Sequence, residues 1–348
     1  MLSLDNLYRH NLEIKTRWMV SLLEGIGLSH LCNAIIHSPL TDGFRSRAKF
    51  RIFHDKNGMR MEGTSPSGGP VEYKKSLWIL PDWGRHVVRQ VIAFIQKHQK
   101  NFTVDGFEIQ LAHGKKNVHV TFSINRSITE IYENFAIALL SDIPEIIGVA
   151  IPSQKLEVGE TYLVHKIGEK DFCAHYASFF QSNLFLTPEL VAHVARISAA
   201  KAVRKIFDLY CGVGLLSLSL GDKDTQIIGI DTNRKAVTSA QKNAGHMGFR
   251  SARFSVSSVE RFLQTSEIGT NSLVLINPPR SGCTPSAINA IASHHPDRII
   301  LVSCSLKTHV INLVEWEKRG YEILSLKAFD MFPFTEFLET VTELKIRR

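Results

Sequence analysis

Lys205-Ile206-Phe207-Asp208-Leu209-Tyr210-Cys211-Gly212-Val213-Gly214 is a short apolar run that ends in two closely spaced glycines. The run predicts a buried strand, and the glycines let the chain turn tightly and bring its backbone close to a ligand where a helix starts. A second apolar run, residues 226–230, is followed by Asp231, a carboxylate about 20 residues further on that suits two ribose hydroxyls. By themselves these features fit a dinucleotide or S-adenosylmethionine. Leu216-Ser217 stands where a dinucleotide fingerprint has its third glycine, which favours the methyl donor. The plainer reading of Asp231 is a cap for a helix beginning near Asn233.

Outward from this run, the chain from about residue 187 alternates helix and short buried strand. Strands are expected at residues 205–210, 226–230, 252–256, 272–277 and 298–303, with helices at 187–200, 233–247 and 307–318. That order implies an α/β, doubly wound, Rossmann-like parallel sheet that binds ligands beyond the C-terminal ends of its strands. Residues 321–329 and 338–346 read as an antiparallel pair closing the sheet. Residues 1–170 read instead as an α+β module dominated by antiparallel strands, with helices at 85–99 and 128–140, a turn-rich loop at 63–70 and strands at 107–111 and 118–124. The expected division is therefore 1–170 and 171–348.

The 348 residues carry a net charge of +8, and the excess is unevenly placed. Residues 1–126 hold 18 Lys and Arg against 10 Asp and Glu, whereas residues 127–348 hold 23 of each. A basic module joined to a neutral one suits a polyanion, although the same charge also serves solubility. Within residues 44–52, period-two alternation puts Phe44, Ala48, Phe50 and Ile52 on one face and Arg45, Arg47, Lys49 and Arg51 on the other, a row suited to phosphates or simply to water. The cysteines at 32, 173, 211, 283 and 304 lack the spacing of a zinc or iron-sulfur site, so no metal is expected. No stretch of about 18 apolar residues is present and the first residues do not read as a secretory signal, so a cytoplasmic monomer without membrane contact is expected.

Two further runs carry chemistry. One apolar strand ends in Asn277-Pro278-Pro279-Arg280, where consecutive prolines make a rigid bend; Arg280 suits a phosphate or a base oxygen. Another runs directly into Ser303-Cys304. A cysteine there is ordinarily a small buried hydrophobe. Its neighbourhood to the Asn-Pro-Pro bend instead puts Cys304 in the donor crevice, where a thiolate could add to a pyrimidine. Such a thiolate needs a lowered pKa, for which Arg280 and a helix start near Lys307 are candidate sources. A base is also required; Glu336, Glu339 and Glu343 are available, and Glu339 ranks first by its place on the last strand.

Taken in order, Ser178-Phe179-Phe180-Gln181-Ser182-Asn183, the glycine run, Asn277-Pro278-Pro279-Arg280, Ser303-Cys304 and Asp330-Met331-Phe332-Pro333 before Glu339 resemble the RNA uracil-C5 methyltransferases. The resemblance implies a class I methyltransferase sheet, S-adenosylmethionine held by Gln181, Tyr210, Asp231 and Asn277, Cys304 as nucleophile, Glu339 as base, and RNA at the basic strand; the residues themselves add Gly212 and Gly214 to the donor cradle and Arg280 to the RNA contacts. Within the family the wording is closest to the short enzymes that make 5-methyluridine in 23S ribosomal RNA, with transfer RNA as the alternative substrate. Two departures stand out. No cysteine precedes Cys32, so the iron-sulfur cluster of those enzymes is not expected, and Ser305 replaces the family's asparagine. A non-catalytic RNA-binding protein of the same fold is the rival from another class; a cytosine-C5 enzyme is disfavoured because no Pro-Cys dipeptide occurs.

Overall fold

The computed structural model describes residues 4–31, 34–56, 58–65, 68–98, 103–125, 129–198 and 203–347. Cys32, residues 66–67 of the turn-rich loop and the expected helix ends at 99, 128 and 199–200 lie outside them. The chain divides into two compact units, Asp42–Ala177 with Gln181–Leu184, and Met1–Thr41 with Ser178–Phe180 and Phe185–Arg348. The first is inserted in sequence within the second. Helix α1 (Leu4–Glu24), expected in the N-terminal module, joins the other unit because its Met19 and Leu23 are fully buried in the same core as Leu209, Ile276 and Leu301.

The inserted unit is built on one sheet. Its strands are β1 (Arg47–Asp55), β2 (Gly58–Thr64), β3 (Pro70–Glu72), β4 (Gly106–Leu111), β5 (Val118–Ser123), β6 (Ile146–Ile151) and β7 (Leu156–Gly159), in the order β3-β2-β1-β4-β5-β6-β7. All neighbours are antiparallel except β5 and β6. After the short α2 (Tyr73–Trp78), the amphipathic helices α3 (Asp82–His98) and α4 (Thr129–Asp142) supply apolar faces to this sheet, where Phe50, Phe94, Phe107, Phe122 and Phe135 form a chain of ring contacts. A hairpin, β8 (Tyr162–Ile167) with β9 (Lys170–His175), completes the unit.

In the second unit α5 (Leu186–Ser198) precedes β10 (Lys205–Leu209). There follow α6 (Leu215–Leu220), β11 (Gln226–Asp231), α7 (Arg234–His246), β12 (Ala252–Val256), α8 (Val259–Leu263), β13 (Leu273–Ile276), α9 (Pro285–Ala292), β14 (Arg298–Ser303) and α10 (Leu306–Lys318). The antiparallel β15 (Tyr321–Phe329) and β16 (Glu339–Ile346) close the chain. Strand order is β12-β11-β10-β13-β14-β16-β15, parallel from β12 to β14 and antiparallel thereafter. Order reverses between β10 and β13, the crevice where such sheets take ligands. Among the described residues no helix is long and apolar enough to cross a membrane.

Buried histidines mark both units. In the inserted unit His113 and His165 meet edge to face at 5.2 Å, and His119 stacks flat on Tyr176 at 4.4 Å. In the other, His309 sits against the Thr342 hydroxyl at 2.7 Å. Burial pushes His113 down to about 4 and His119 and His309 to about 3. Unfolded histidine titrates near about 6.5, so between that pH and about 4 the unfolded chain takes up protons that the folded chain refuses. Stability is then fully present above pH 6.5 and is lost as pH falls, by on the order of 1.4 kcal/mol per pH unit for each histidine. Urea midpoints measured from pH 7.5 to 4.5 are expected to drop steeply below 6.5, and His119→Phe to flatten part of that slope.

Candidate active site

The C-terminal end of the parallel sheet is shaped first by how β10 stops. The Tyr210 and Cys211 amides both donate to the Ile230 carbonyl, at 3.0 and 2.8 Å, and Tyr210 takes a φ of 78°, a costly conformation for a non-glycine residue. Gly212 follows at φ 53°, with open space where a Cβ would stand, and Gly214 at φ 80° opens α6. The Gly212 amide donates to Asp231 Oδ2 at 2.9 Å and the Asn233 amide to Oδ1 at 2.8 Å, so the carboxylate is held rigidly beside the glycine turn. Capping of α7 falls to Asn233, whose side chain accepts from Lys235 and Ala236. Ser217, one of the two residues standing in for the third glycine, donates to the buried Asp208 at 2.5 Å; burial pushes that carboxyl up to about 6.

Asn277 leaves β13 half-buried, and α10 grips the loop it opens. The Thr308 hydroxyl donates to the Arg280 carbonyl at 3.1 Å. Asn312 accepts from the Cys283 amide at 2.9 Å and returns a bond to its carbonyl at 3.1 Å. Gly282, at φ 75°, is required there because a Cβ would lie 2.7 Å from Asn312 Oδ1. The hydroxyl of Tyr210 pairs with the Cys283 thiol, which burial pushes up to about 12.

Cys304 follows β14 directly and is half-buried. Pairing of Ser303 with Thr340 fixes its neighbour, because in an antiparallel register the next residue on β14 comes to face Glu339, the first of β16. Glu339 is 1% exposed and its charge acts on the thiol. The Arg280 guanidinium hydrogen-bonds the same sulfur and lies 4.3 Å from the centre of the Phe337 ring. The other carboxylates are employed elsewhere: Glu343 pairs with Arg298 at 2.6 Å, and the exposed Glu336 lies 3.9 Å from Lys307. The thiol's pKa is not lowered as the sequence led one to expect. Burial, then the Glu339 charge, push it up to about 11, only partly offset by Arg280.

Tyr210, Gly212, Gly214, Asp231, Asn277, Arg280, Cys304 and Glu339 thus converge on one end of one sheet. The remaining expected residues belong to the inserted unit. There Gln181 is 4% exposed, with its carbonyl 3.1 Å from His113 Nε2; its part in holding a donor stays an expectation of the resemblance. Phe44, Ala48, Phe50 and Ile52 are buried as the alternation requires. The opposite face is less purely cationic than expected. Arg45 lies ahead of β1, in a bridge with Asn183; Arg47 forms an ion pair with Glu108; Arg51 donates to the Gly68 carbonyl at 3.2 Å; and Lys49, though exposed, stands across from Glu108. Sequence reasoning missed Phe337, Thr308 and Asn312, whose roles depend on contacts between α10, the Arg280 loop and the segment before β16.

The profile of the tRNA (uracil-5-)-methyltransferase family matches residues 7–347. A protein of Caldanaerobacter subterraneus subsp. tengcongensis described as an uncharacterized RNA methyltransferase is 27% identical, over 96% of this chain and 80% of its own. A Thermotoga maritima protein with the same description is 33% identical over 53% of this chain, and this alignment spans 42% of that relative's length. The fold matches that of the Pyrococcus abyssi tRNA (uracil-54, C5)-methyltransferase, solved in complex with S-adenosyl-L-homocysteine, with a TM-score of 0.76 at 21% identity over 97% of this chain and 83% of that one. On the match along nearly all of its length, the chain belongs to the tRNA (uracil-5-)-methyltransferase family.

Proposed function

We propose that this chain methylates carbon 5 of a uridine in RNA, using S-adenosylmethionine and a covalent bond between Cys304 and carbon 6 of the base. The observation that carries the reading is the convergence of Arg280 and Glu339 on the Cys304 sulfur at the C-terminal end of the sheet. The cradle beside it fits the donor: Gly212 leaves room for close approach, and Asp231 presents a carboxylate already fixed by two amides. Tyr210, Gly212, Gly214, Asp231 and Asn277 would hold the donor, which when bound supplies an electrophilic methyl group.

Cys304 gives its proton to solvent and its sulfur bonds to carbon 6, which makes carbon 5 an enolate carbon able to take the methyl group as the bond from methyl to the donor's sulfonium breaks and leaves a neutral thioether. Carbon 5 then carries both hydrogen and methyl. Glu339 removes that proton, the carbon 5–carbon 6 double bond reforms, and the sulfur–carbon bond breaks to release the thiolate. Arg280 favours the thiolate at both ends of the cycle. A base stacked within a helix could not reach a half-buried sulfur, so the target uridine is unpaired or flipped out. The motif wording favours 23S ribosomal RNA and the family description favours transfer RNA. Mapping 5-methyluridine in both RNAs from a strain lacking the protein separates them, and loss in neither would overturn the proposal.

Three outcomes are expected of purified protein. Cys304→Ala lowers methylation by roughly 10³-fold or more and abolishes the denaturation-resistant adduct with 5-fluorouridine RNA. Asp231→Ala weakens donor binding by roughly 10- to 100-fold, read by calorimetry, since hydrogen bonds to a charged group are at stake. The pH midpoint of Cys304 alkylation, followed by peptide mass spectrometry, lies well above neutrality; Glu339→Gln moves it down by removing a negative charge and Arg280→Met moves it up by removing a positive one.

A further inference from the structure

We infer that Lys15, on the N-terminal helix α1, is a positioning residue for Glu339, holding the base in place through the connection between β15 and β16; the inference rests on the function proposed above. Lys15 is 2% exposed, an unusual place for an ammonium, and its three protons have three acceptors. Nζ donates to Asp330 Oδ1 at 2.6 Å, to the Phe332 carbonyl at 3.0 Å and to the Phe337 carbonyl at 3.0 Å. Asp330 comes directly after β15, and Phe337 lies two residues before Glu339. One ammonium therefore ties the start of the connection to its end.

The rest of α1 reinforces this grip. Asn11 accepts from the Phe334 amide at 3.2 Å, the Tyr8 ring meets the Phe334 ring at 5.5 Å, and the Tyr8 hydroxyl, beside Asp330, accepts from the Ser38 amide at 2.9 Å. Phe334 itself has a φ of 61°, so this segment is held in a form it would not choose alone. Nothing in the segment 330–338 is helix or strand, so its path is set by the buried Met331 and Leu338, by the bond of the Asp330 amide to the Ile36 carbonyl at 2.8 Å, by its own turns and by these contacts with α1. The Phe337 carbonyl is bound by Lys15 while the Phe337 ring lies against Arg280, so the same clamp reaches both groups that act on the sulfur. A base misplaced by about 1 Å can lose on the order of 100-fold in rate.

Because Glu339 acts after the methyl group has moved, a displaced Glu339 would stall the cycle at the methylated Cys304 adduct. Lys15→Met is therefore expected to lower kcat about 100-fold on RNA that the wild-type chain methylates, to lower KM for RNA along with it so that kcat/KM stays within about threefold, and to accumulate denaturation-resistant adduct on ordinary uridine RNA. Since Lys15→Met also strands a buried carboxylate, the double variant K15M/D330L removes both charges and is expected to fold while showing the same kinetic split. Amide exchange in the peptide spanning 330–338 should quicken at least tenfold in either variant, with the strands unaffected. Adduct and turnover falling together in proportion to the folded fraction, or unchanged exchange in 330–338, would overturn the assignment. A wild-type chain that methylates neither 23S ribosomal RNA nor transfer RNA would overturn the function itself and this role with it; active wild type with unaltered variants would overturn the role of Lys15 alone.

Discussion

In-register parallel pairing is the constraint from which the site follows. Leu209 lies beside Ile230 and Ile276, and Ile276 beside Leu301, so the strands β11, β10, β13 and β14 end together and their following loops share one end of the sheet. Parallel strands buried on both faces must be joined by crossovers, which places the joining turns at the same end each time. The antiparallel β16, inserted between β14 and β15, then begins where β14 finishes. A one-residue slip in that pairing would turn Glu339 to the opposite face of the sheet and separate it from Cys304.

Within this frame the sulfur is subject to opposing influences. At neutral pH, forming a thiolate from a group titrating at about 11 costs about 5 kcal/mol, which is small beside the roughly 8–23 kcal/mol by which enzymes lower barriers. A resting thiol of this kind is little reactive toward alkylating agents and oxidants, since the thiolate is the reactive form. Glu339 and Arg280 act on it with opposite sign from opposite flanking segments, so small displacements of either segment change the balance.

The parallel sheet, the glycine turn, the Asn-Pro-Pro-Arg bend and the cysteine were legible because each is a local pattern, with apolar runs of strand length ending in residues that turn or react. The antiparallel closure could also be read, and with it the place of Glu339 at the end of the last strand that meets β14. Interactions over long sequence separations were not legible. Lys15 pairs with Asp330 across 315 residues, and although helical spacing puts Lys15 on the stripe of Tyr8, Met19 and Leu23, nothing near it in sequence names the partner. Arg47 looked like one of four free cations because its partner Glu108 lies 61 residues away on a different strand. The thiol's raised pKa likewise depends on burial and on a carboxylate brought in by strand pairing, neither of which is written near Cys304.

The nesting of one unit inside the other bears on how the chain emerges from the ribosome. The segment 42–184 holds the whole inserted unit, so that sheet can assemble while the remainder is still being translated. The surrounding unit has to wait: α1 is made first, yet its buried ammonium meets its counter-ion only when Asp330 has appeared, and β14 lacks one neighbour until β16 is complete. Until those late segments are made, the apolar stripe of α1 lacks the core it packs into and β14 has an open flank, features that expose a growing chain to aggregation and to capture by chaperones.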